Sequence, residues 1–372
     1  MKNKKVLMIW TTNNRNELGG VGYYRIVNPA REFVKNGYDV TVMSSSDFDK
    51  KFKLKDTDTV EEMYSRMFEQ YDLVWMKHTD NISILAKIFE LRDKYKKKLV
   101  WDFDDDLFNV RPSQPAYEKL HPQSPTRIIT GASISMCDAL TVSTPYLKKS
   151  LSKLLKEAFN IKIPIYVCPN FVNKEEWNNV KYRPSNSPVI GYYGSITHND
   201  DFALIKKVIY KILKKYNTVR FQVVGAFSSE TMIGLFSDVE DIEILKQIEL
   251  IGGTNGWNGF PELLLRQNWD ISVAPLIDDE FNRSKSNIKW MESSMKSIPT
   301  VCSNVEPYKM SVTKNTGFLC NTEKEWFNTL VKLIENKDLR VKIGKQAKEY
   351  VLSEFTDKAV KDWIKTLDIL LK

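Results

Sequence analysis

Long apolar runs are missing from this 372-residue sequence. No uninterrupted apolar segment approaches the ~20 residues that a membrane-spanning helix requires. The opening residues, MKNKKVLMIW, lead directly into a strand-like pattern without the cleavage region of a secretory signal. Internal repeats and low-complexity segments are missing as well. We therefore expect a cytoplasmic protein built from ordinary globular domains.

Cysteine is scarce and scattered. The four cysteines are Cys137, Cys168, Cys302 and Cys320. They lie far apart, none forms a C-x-x-C pair, and three sit in or beside strand-like apolar runs. Disulfide frameworks and zinc sites need paired or clustered cysteines. The sequence therefore predicts reduced, buried thiols, and we expect no bound metal or cofactor.

The composition is that of a soluble protein with two domains. Hydrophobic residues make up 42% of the chain and charged residues 27%, proportions that support packed cores. A chain of this length suits two domains that each bury a core. The net charge of +8 favours an anionic partner. That partner could be a membrane surface, a nucleic acid or a phosphorylated substrate.

Strands alternate with helices in both halves of the chain, which predicts two parallel, doubly wound sheets. The predicted strands of the first half span residues 5–10, 38–43, 72–77, 98–103, 139–143 and 164–168. Those of the second half span residues 189–193, 219–224, 248–251, 270–276 and 298–301. The polar, proline-bounded segment 169–188 separates them and suits a linker. We predict an α/β protein with domains at residues 1–168 and 189–355.

The stretch 273–301 is the one around which the chain is organised. A buried strand runs into a polar loop, a helix follows, and the next strand begins at Ile298. In such βαβ units ligands lie at the carboxyl ends of the strands, against the helix N-terminus. Lys285, Lys289 and Glu292 share one stripe of the helix, which indicates either a ligand-facing side or a solvated face with ion pairs.

This stretch resembles the donor-sugar element of GT-B glycosyltransferases of the family 4 type. In that family two glutamates eight positions apart mark the helix, which ends in a small residue, a proline and a strand. Glu292 matches the second glutamate, whose implied role is to hold the ribose hydroxyls of a nucleotide sugar, while Ser284 stands where the first belongs. The resemblance also implies two Rossmann-like domains facing across a cleft, with the C-terminal helix, residues 356–372, crossing back to the N-terminal domain.

A glycine-rich loop, LGGVGYYR, follows the first strand. Its amides can approach a phosphate or an oxyanion at a helix N-terminus, but tight strand-to-helix turns use glycine for purely structural reasons too. The resemblance implies the first use, because family 4 enzymes carry a GGxG loop here between the acceptor and the donor diphosphate. Gly20, Gly22 and Arg25 are the candidates.

The first turn of the second half, GYYGSITHNDDF, offers further phosphate contacts. Gly194 and Ser195 can bring backbone amides near a phosphate, whereas His198 is equally suited to capping the next helix. Family members usually have an arginine and a lysine in this turn, and this chain does not. We therefore expect Arg283, Lys285 and Lys289 to supply the positive charge.

The acidic segment LVWDFDDDLF ends an interior strand. Three interpretations stay open: a divalent-metal site, an N-cap by Asp105 or Asp106 for the next turn, or an active-site acid that faces the sugar. We favour the third, because the family often places a histidine-bearing turn here and Asp102 or Asp104 takes its place. His78 ends the preceding strand and is either a third catalytic candidate or a structural residue.

The resemblance to family 4 enzymes implies a metal-independent glycosyltransferase. The expected reaction moves a sugar from a nucleotide diphosphate sugar to a cell-envelope, polysaccharide or lipid-linked glycan, and by analogy it retains anomeric configuration. Lysines on the helix 145–158 could attract an anionic bilayer, which implies peripheral contact with the inner membrane face. Three alternatives remain: transfer to modified nucleic acid, sugar-nucleotide epimerisation, and a non-catalytic binding protein on the same scaffold.

Overall fold

A computed structural model describes the chain at residues 4–10, 18–44, 47, 62, 65–66, 69–77, 89–90, 92–114, 116–177, 182–195, 198–226, 236, 239–254 and 256–372. The chain divides into two compact units. The first contains residues 1–171, 284–286 and 358–372, and the second contains residues 172–283 and 287–357. The division after residue 171 falls within the segment predicted as a linker.

The first unit is built on a parallel six-stranded sheet. Its strands are β1 (Lys5–Trp10), β2 (Asp39–Ser44), β3 (Leu73–Lys77), β4 (Lys98–Phe103), β5 (Ala139–Val142) and β6 (Ile165–Val167), in the order β2-β1-β3-β4-β5-β6. Its described helices are α1 (Gly20–Gly22), a π-helical turn (Tyr23–Val27), α2 (Asn28–Lys35), α3 (Tyr117–Leu120), α4 (Pro125–Ile134) and α5 (Pro145–Phe159). The strand–helix alternation also predicts helices near residues 60–70 and 82–95, and these lie largely outside the described residues.

The second unit repeats the architecture with a different strand order. Its strands are β7 (Val189–Ser195), β8 (Arg220–Ala226), β9 (Ile248–Gly252), β10 (Ile271–Ala274), β11 (Thr300–Ser303) and β12 (Phe318–Cys320), in the order β12-β11-β10-β7-β8-β9. Its described helices are α6 (Lys174–Trp177), α7 (Asn199–Lys215), α8 (Ile242–Leu245), α9 (Phe260–Arg266), α10 (Glu280–Arg283), α11 (Ile288–Met295), α12 (Glu306–Lys309), α13 (Glu323–Glu335) and α14 (Lys337–Glu354).

The last helix, α15 (Asp357–Leu370), completes the core of the first unit. Alternate residues of β1 face opposite sides of the sheet, so Leu7 and Val6 enter different apolar clusters. Trp363 of α15 lies on the Val6 side and stacks on Trp75, with ring centroids 5.6 Å apart. The predicted return of the C-terminal helix to the first half is thereby confirmed, as are the two parallel sheets.

In each sheet, the early strands are added on one side of the first strand and the later strands on its other side. The position between the two sets is the point at which the strand order reverses. In the first sheet this point lies between β1 and β3, and in the second it lies between β7 and β10. The second order is the one typical of dinucleotide-binding folds, in which ligands occupy the crevice beyond the carboxyl ends of the strands at such a point. The residues that follow β7 and β10 are therefore the first place to look for a ligand site.

The sequence predicts one helix from the glycine loop to Asn36, but in the structure a π-helical turn interrupts it. Between α1 and α2 the backbone follows π-helical geometry over Tyr23–Val27. A π-turn changes the direction in which side chains leave a helix, and such turns occur mostly within α-helices at functional sites. Arg25 lies in this turn and is directed into the unit, where only 1% of its surface is exposed. In the described part of the chain, every helix is too short or too polar to cross a bilayer.

Candidate functional site

Glu292 is buried at the centre of the second unit. It lies on α11, between the loop that follows β10 and the start of β11, and only 1% of its surface is accessible. The Tyr193 hydroxyl, from β7, donates a hydrogen bond to Oε2 of Glu292. Desolvation and the neighbouring Glu292 carboxylate raise the pKa of the Tyr193 phenol well above its ordinary value. The phenol therefore remains a hydrogen-bond donor throughout the physiological pH range.

Aromatic rings hold Tyr193 in place. Its ring stacks on Trp269 with centroids 6.2 Å apart and planes 21° from parallel. Trp269 is fixed in turn by a 2.7 Å hydrogen bond from its Nε1 to Oε1 of Gln222. The Lys289 ammonium lies 5.7 Å from the Tyr192 ring and 6.0 Å from the Tyr193 ring, within cation–π range. Lys289 and Glu292 thus both lie next to Tyr193 of β7.

Asp201, in the first turn of α7, connects two loops of the second unit. It is fully buried, and its Oδ1 accepts hydrogen bonds from the Ile277 amide at 3.0 Å and from the Asn282 side chain at 2.9 Å. Its Oδ2 lies 2.9 Å from Nδ1 of His198. A carboxylate at one ring nitrogen fixes the orientation of an imidazole. His198 is therefore held at the carboxyl end of β7, beside the loop that follows β10.

The remaining donor-side candidates differ in their surroundings. Gly194 lies in β7 opposite Gly225, and a Cβ added there would come within 2.9 Å of the Tyr192 hydroxyl. Ser195 ends β7. Arg283 lies at the surface, where it contacts Asp278 at 2.6 Å and Glu280 at 3.0 Å. The structure therefore brings Gly194, His198, Lys289 and Glu292 to the β7 end, whereas Arg283 takes part in a surface ion-pair network.

In the first unit, Arg25 is enclosed by protein acceptors. Its Nε and one terminal nitrogen contact both oxygens of Asp102, at 2.9 and 2.7 Å. Its other terminal nitrogen donates to the Cys168 carbonyl and to Oδ1 of Asn170, at 2.5 and 3.0 Å. The guanidinium also lies 4.7 Å from the Trp363 ring. Most of its donors are thus occupied within the protein, which suits a positioning role.

The two glycine candidates precede Arg25 in the helical start of the loop. Gly20 and Gly22 form α1, whose N-cap is Gly19. A Cβ at Gly22 would come within 2.9 Å of the Leu18 side chain, so the loop is closely packed there. Whether their amides meet a ligand stays a prediction.

The acidic segment separates into members with distinct roles. Asp102 is buried and accepts from Arg25 and from the Thr141 hydroxyl at 2.7 Å. Asp106 is also buried and accepts from the hydroxyls of Ser150 and Ser284, at 2.5 and 3.3 Å. These contacts stabilise the loop that follows β4.

Asp104 and Asp105 lie nearer the surface of the first unit. Asp104 accepts a 3.0 Å hydrogen bond from Nδ2 of Asn170, which also donates to the Ser286 hydroxyl at 2.9 Å. Desolvation raises the pKa of Asp105, and the Asp104 and Asp106 carboxylates act in the same direction against Lys285 and Lys77. Asp105 is therefore the member of the run most suited to carrying a proton.

The sequence did not single out Tyr193, Asp201 or Asn170. Tyr193 lies in an apolar run that reads as a buried strand, and nothing in that run distinguishes a tyrosine with a polar contact from an aromatic core residue. His78 lies outside the described residues. Among the residues that the structure describes, no three His, Cys, Asp or Glu side chains are grouped as ligands of one metal ion.

Part of the chain is similar to a known protein family. Residues 173–350, just under half of the chain, match the family model for glycosyl transferases group 1. That range covers most of the second unit and includes Tyr193, His198, Lys289 and Glu292. The resemblance to glycosyltransferases that the helix at Glu292 indicated is therefore confirmed. None of the curated proteins matches the sequence significantly.

Solved structures agree on the fold. A glycosyltransferase from Rickettsia africae ESF-5 has a TM-score of 0.67 at 15% identity, over 99% of this chain and 97% of that chain. Anabaena Alr3699/HepE in complex with UDP-glucose has a TM-score of 0.67 at 12% identity, over 98% and 99% of the two chains. A mutant of S. aureus TarM, in complex with Fondaparinux, alpha-GlcNAc-glycerol and UDP, has a TM-score of 0.61 at 14% identity.

The TarM match covers 84% of this chain but 59% of the TarM chain. At identities this low, structural similarity establishes the fold alone. That fold is GT-B, as the sequence predicted.

Proposed function

We propose that this protein transfers a sugar from a nucleotide diphosphate sugar to a glycan acceptor with retention of anomeric configuration. The observation that carries the proposal is Glu292, a carboxylate buried on α11 and hydrogen-bonded to Tyr193 of β7. The two residues flank the point at which the strand order of the second sheet reverses, where α/β folds bind nucleotides. A carboxylate there suits the paired hydroxyls of a ribose.

His198 and Lys289 are the proposed contacts for the donor diphosphate, together with the backbone at Gly194 and Ser195. The imidazole is oriented by Asp201, and the Lys289 ammonium lies over the Tyr192 and Tyr193 rings. A leaving diphosphate is stabilised by preorganised positive charge and by amides. Arg283, Lys285 and Ser284 remain further candidates, because they belong to the same loop in sequence.

The first unit is the proposed acceptor domain. Asp104, at the carboxyl end of β4, is the proposed acid residue, with Asp102 and His78 as the other catalytic candidates. Asp105 joins them because its pKa is raised. Such a carboxyl group can hold or accept the proton of an acceptor hydroxyl. Gly20, Gly22 and Arg25 are proposed to shape the boundary of this site, with Arg25 acting through Asp102 and Asn170. We propose that no metal ion takes part.

The acceptor is proposed to be a cell-envelope, polysaccharide or lipid-linked glycan. The similar structures support this choice, because one carries UDP-glucose and another carries alpha-GlcNAc-glycerol with UDP. On α5, Leu147 and Leu151 are buried while Lys148 and Lys149 are exposed. That exposed basic face fits peripheral contact with an anionic bilayer on the cytoplasmic side.

Calorimetric titration of UDP, GDP, ADP and CMP, each with a common sugar conjugate, tests the donor site. We expect one nucleotide to bind the wild type selectively. Glu292→Gln should weaken it about 10-fold to 100-fold, because hydrogen bonds to charged groups contribute about 1.5–3 kcal/mol. The control is Glu243→Gln, since the Glu243 side chain is 78% exposed on α8 of the same unit.

The nucleotide titration either supports the donor site or removes it. Selective binding that Glu292→Gln weakens and Glu243→Gln leaves unchanged supports the donor site, whereas a wild type that binds no nucleotide removes it. Donor turnover then separates the remaining classes. Consumption of the donor without an acceptor indicates an epimerase, and binding without any turnover indicates a non-catalytic protein.

A further inference from the structure

The position of Tyr193 depends on Trp269, which in turn needs the space left by Gly191. Gly191 and Tyr193 face the same side of β7, because side chains alternate along a strand. A Cβ at Gly191 would lie only 1.8 Å from the Trp269 ring. The absence of a side chain at Gly191 thus allows Trp269 to lie flat against β7, in the position where its ring stacks on Tyr193.

The phenol is directed at one acceptor. Tyr193 is 7% exposed, its ring packs against both Trp269 and Phe260, and its hydroxyl donates to Oε2 of Glu292. A buried ring in contact with two other aromatic rings has little freedom to move its hydroxyl away. Glu292, in contrast, has a long side chain, and restricting it to one rotamer costs conformational entropy.

We propose that Tyr193 is a positioning residue that fixes the Glu292 carboxylate in the orientation needed to accept hydrogen bonds from the ribose hydroxyls of the donor nucleotide. The inference rests on the proposed function and adds the device that preorganises its central residue. Preorganisation improves affinity because the ordering entropy has been lost before the ligand arrives. The hydroxyl of Tyr193, rather than its ring, is the active part.

Tyr216 provides a matched control in the same unit. It is the C-cap of α7, at the opposite end of that helix from His198, and its hydroxyl donates a hydrogen bond to Oε1 of Glu335. Tyr216→Phe therefore removes a phenol-to-carboxylate hydrogen bond of the same kind without touching Glu292.

The test compares UDP with 2′-deoxy-UDP, or the corresponding GDP or ADP pair if the nucleotide screen selects one of those. Wild type is expected to prefer the ribonucleotide. Tyr193→Phe keeps the ring and should weaken ribonucleotide binding about fivefold to tenfold, the size of one hydrogen bond. The ratio of the two affinities should fall toward one, because the lost contribution involves the ribose hydroxyl. Tyr216→Phe should leave both affinities and their ratio unchanged.

A purely structural role would give a different pattern. If Tyr193→Phe lowers both affinities equally, or changes neither, the positioning role is overturned. Glu292→Gln separates this failure from that of the proposed function. Loss of binding in Glu292→Gln with an unaffected Tyr193→Phe removes the inference alone, while a wild type that binds neither nucleotide removes both. Thermal unfolding of each variant confirms that the fold is retained.

Discussion

Each unit contains a buried carboxylate that accepts hydrogen bonds from a different kind of donor, Asp102 in the first unit and Glu292 in the second. Asp102 in the first unit meets a guanidinium through two hydrogen bonds and a third donor, the Thr141 hydroxyl. Glu292 in the second unit meets a phenol, which donates one hydrogen bond and carries no charge. A bidentate guanidinium brings a positive charge and fixes both carboxylate oxygens, whereas a phenol orients a carboxylate through one neutral hydrogen bond. The difference supports a mainly scaffolding role for Asp102, behind Asp104 as the catalytic candidate, and it agrees with the ligand-binding role proposed for Glu292.

The largest effect is expected from removing Arg25, which tests whether the buried pair with Asp102 stabilises the first unit. Arg25→Met leaves the Asp102 carboxylate buried without its cation, and we expect a loss of about 3–5 kcal/mol in the free energy of unfolding. The double variant Arg25→Met with Asp102→Leu should recover much of that loss, because no uncompensated charge remains. Urea denaturation measures both.

Lys35→Met serves as the control for Arg25→Met. Lys35 pairs with Glu32 on the same unit, but its side chain is 50% exposed, and exposed pairs contribute less than about 1 kcal/mol. An Arg25→Met variant no less stable than Lys35→Met would show that the buried pair does not stabilise the first unit. The scaffolding role of Asp102 would then be wrong.

A smaller effect is expected from disturbing the packing of Trp269, which supports Tyr193, the hydrogen-bond donor to Glu292. Gly191→Ala inserts a methyl group into the position occupied by the Trp269 ring, which is 2% exposed. Overpacking of this kind costs about 1–3 kcal/mol. We also expect weaker nucleotide binding, because displacement of Trp269 moves Tyr193. Chemical denaturation and calorimetry measure the two effects.

Gly252→Ala is the matched substitution, on β9 of the same sheet. A Cβ at Gly252 meets no atom within 4 Å. Surface substitutions of this kind usually change stability by no more than about 0.5 kcal/mol. Equal effects at Gly191 and Gly252 would mean that Trp269 does not depend on the glycine beneath it.

Much of the fold could be predicted from the sequence, because parallel sheets need buried apolar strands separated by helices. Each predicted strand corresponds to a strand of the two sheets, and the last helix, which carries Trp363, returns to the first unit as predicted. The edge strand β12, which is only three residues long, was not predicted. The π-turn at Tyr23–Val27 was not predictable, because only the three residues of α1 precede it and they are too few to show the one-residue shift in the helical pattern. That turn is what directs Arg25 inward.

The candidate site was less predictable than the fold. Glu292 could be found because its helix has a recognisable spacing and a proline after it. Its partner Tyr193 could not, since a tyrosine in a buried strand looks like any aromatic core residue until the hydroxyl is seen to meet a carboxylate. The contacts of Asp102 depended on strands and loops brought together by tertiary structure, which a local sequence pattern does not encode.

The last predicted effect depends on pH and concerns Lys296, a lysine that is buried in the second unit and, among the described residues, is not paired with a carboxylate as Arg25 is. Lys296 is 4% exposed, and its Nζ donates to the Leu264 and Gln267 carbonyls at 2.5 and 2.7 Å. Desolvation lowers its pKa from 10.5 to about 7. Between these values the unfolded chain binds one more proton than the native protein, so this group makes stability rise with pH. The destabilisation is complete below pH 7 and is relieved above it.

We expect the stability difference between wild type and Lys296→Met to change in favour of wild type as pH rises from 7 to 9, by up to roughly 1.4 kcal/mol per pH unit. Denaturation at several pH values measures the difference, in which the other titrating groups cancel. Lys345→Met is the control, because that side chain is 76% exposed and stays in water in both states. A flat difference for Lys296→Met would mean that the two carbonyls keep the ammonium charged. Lys296 would then resemble Arg25, and both units would hold their buried cations by hydrogen bonding.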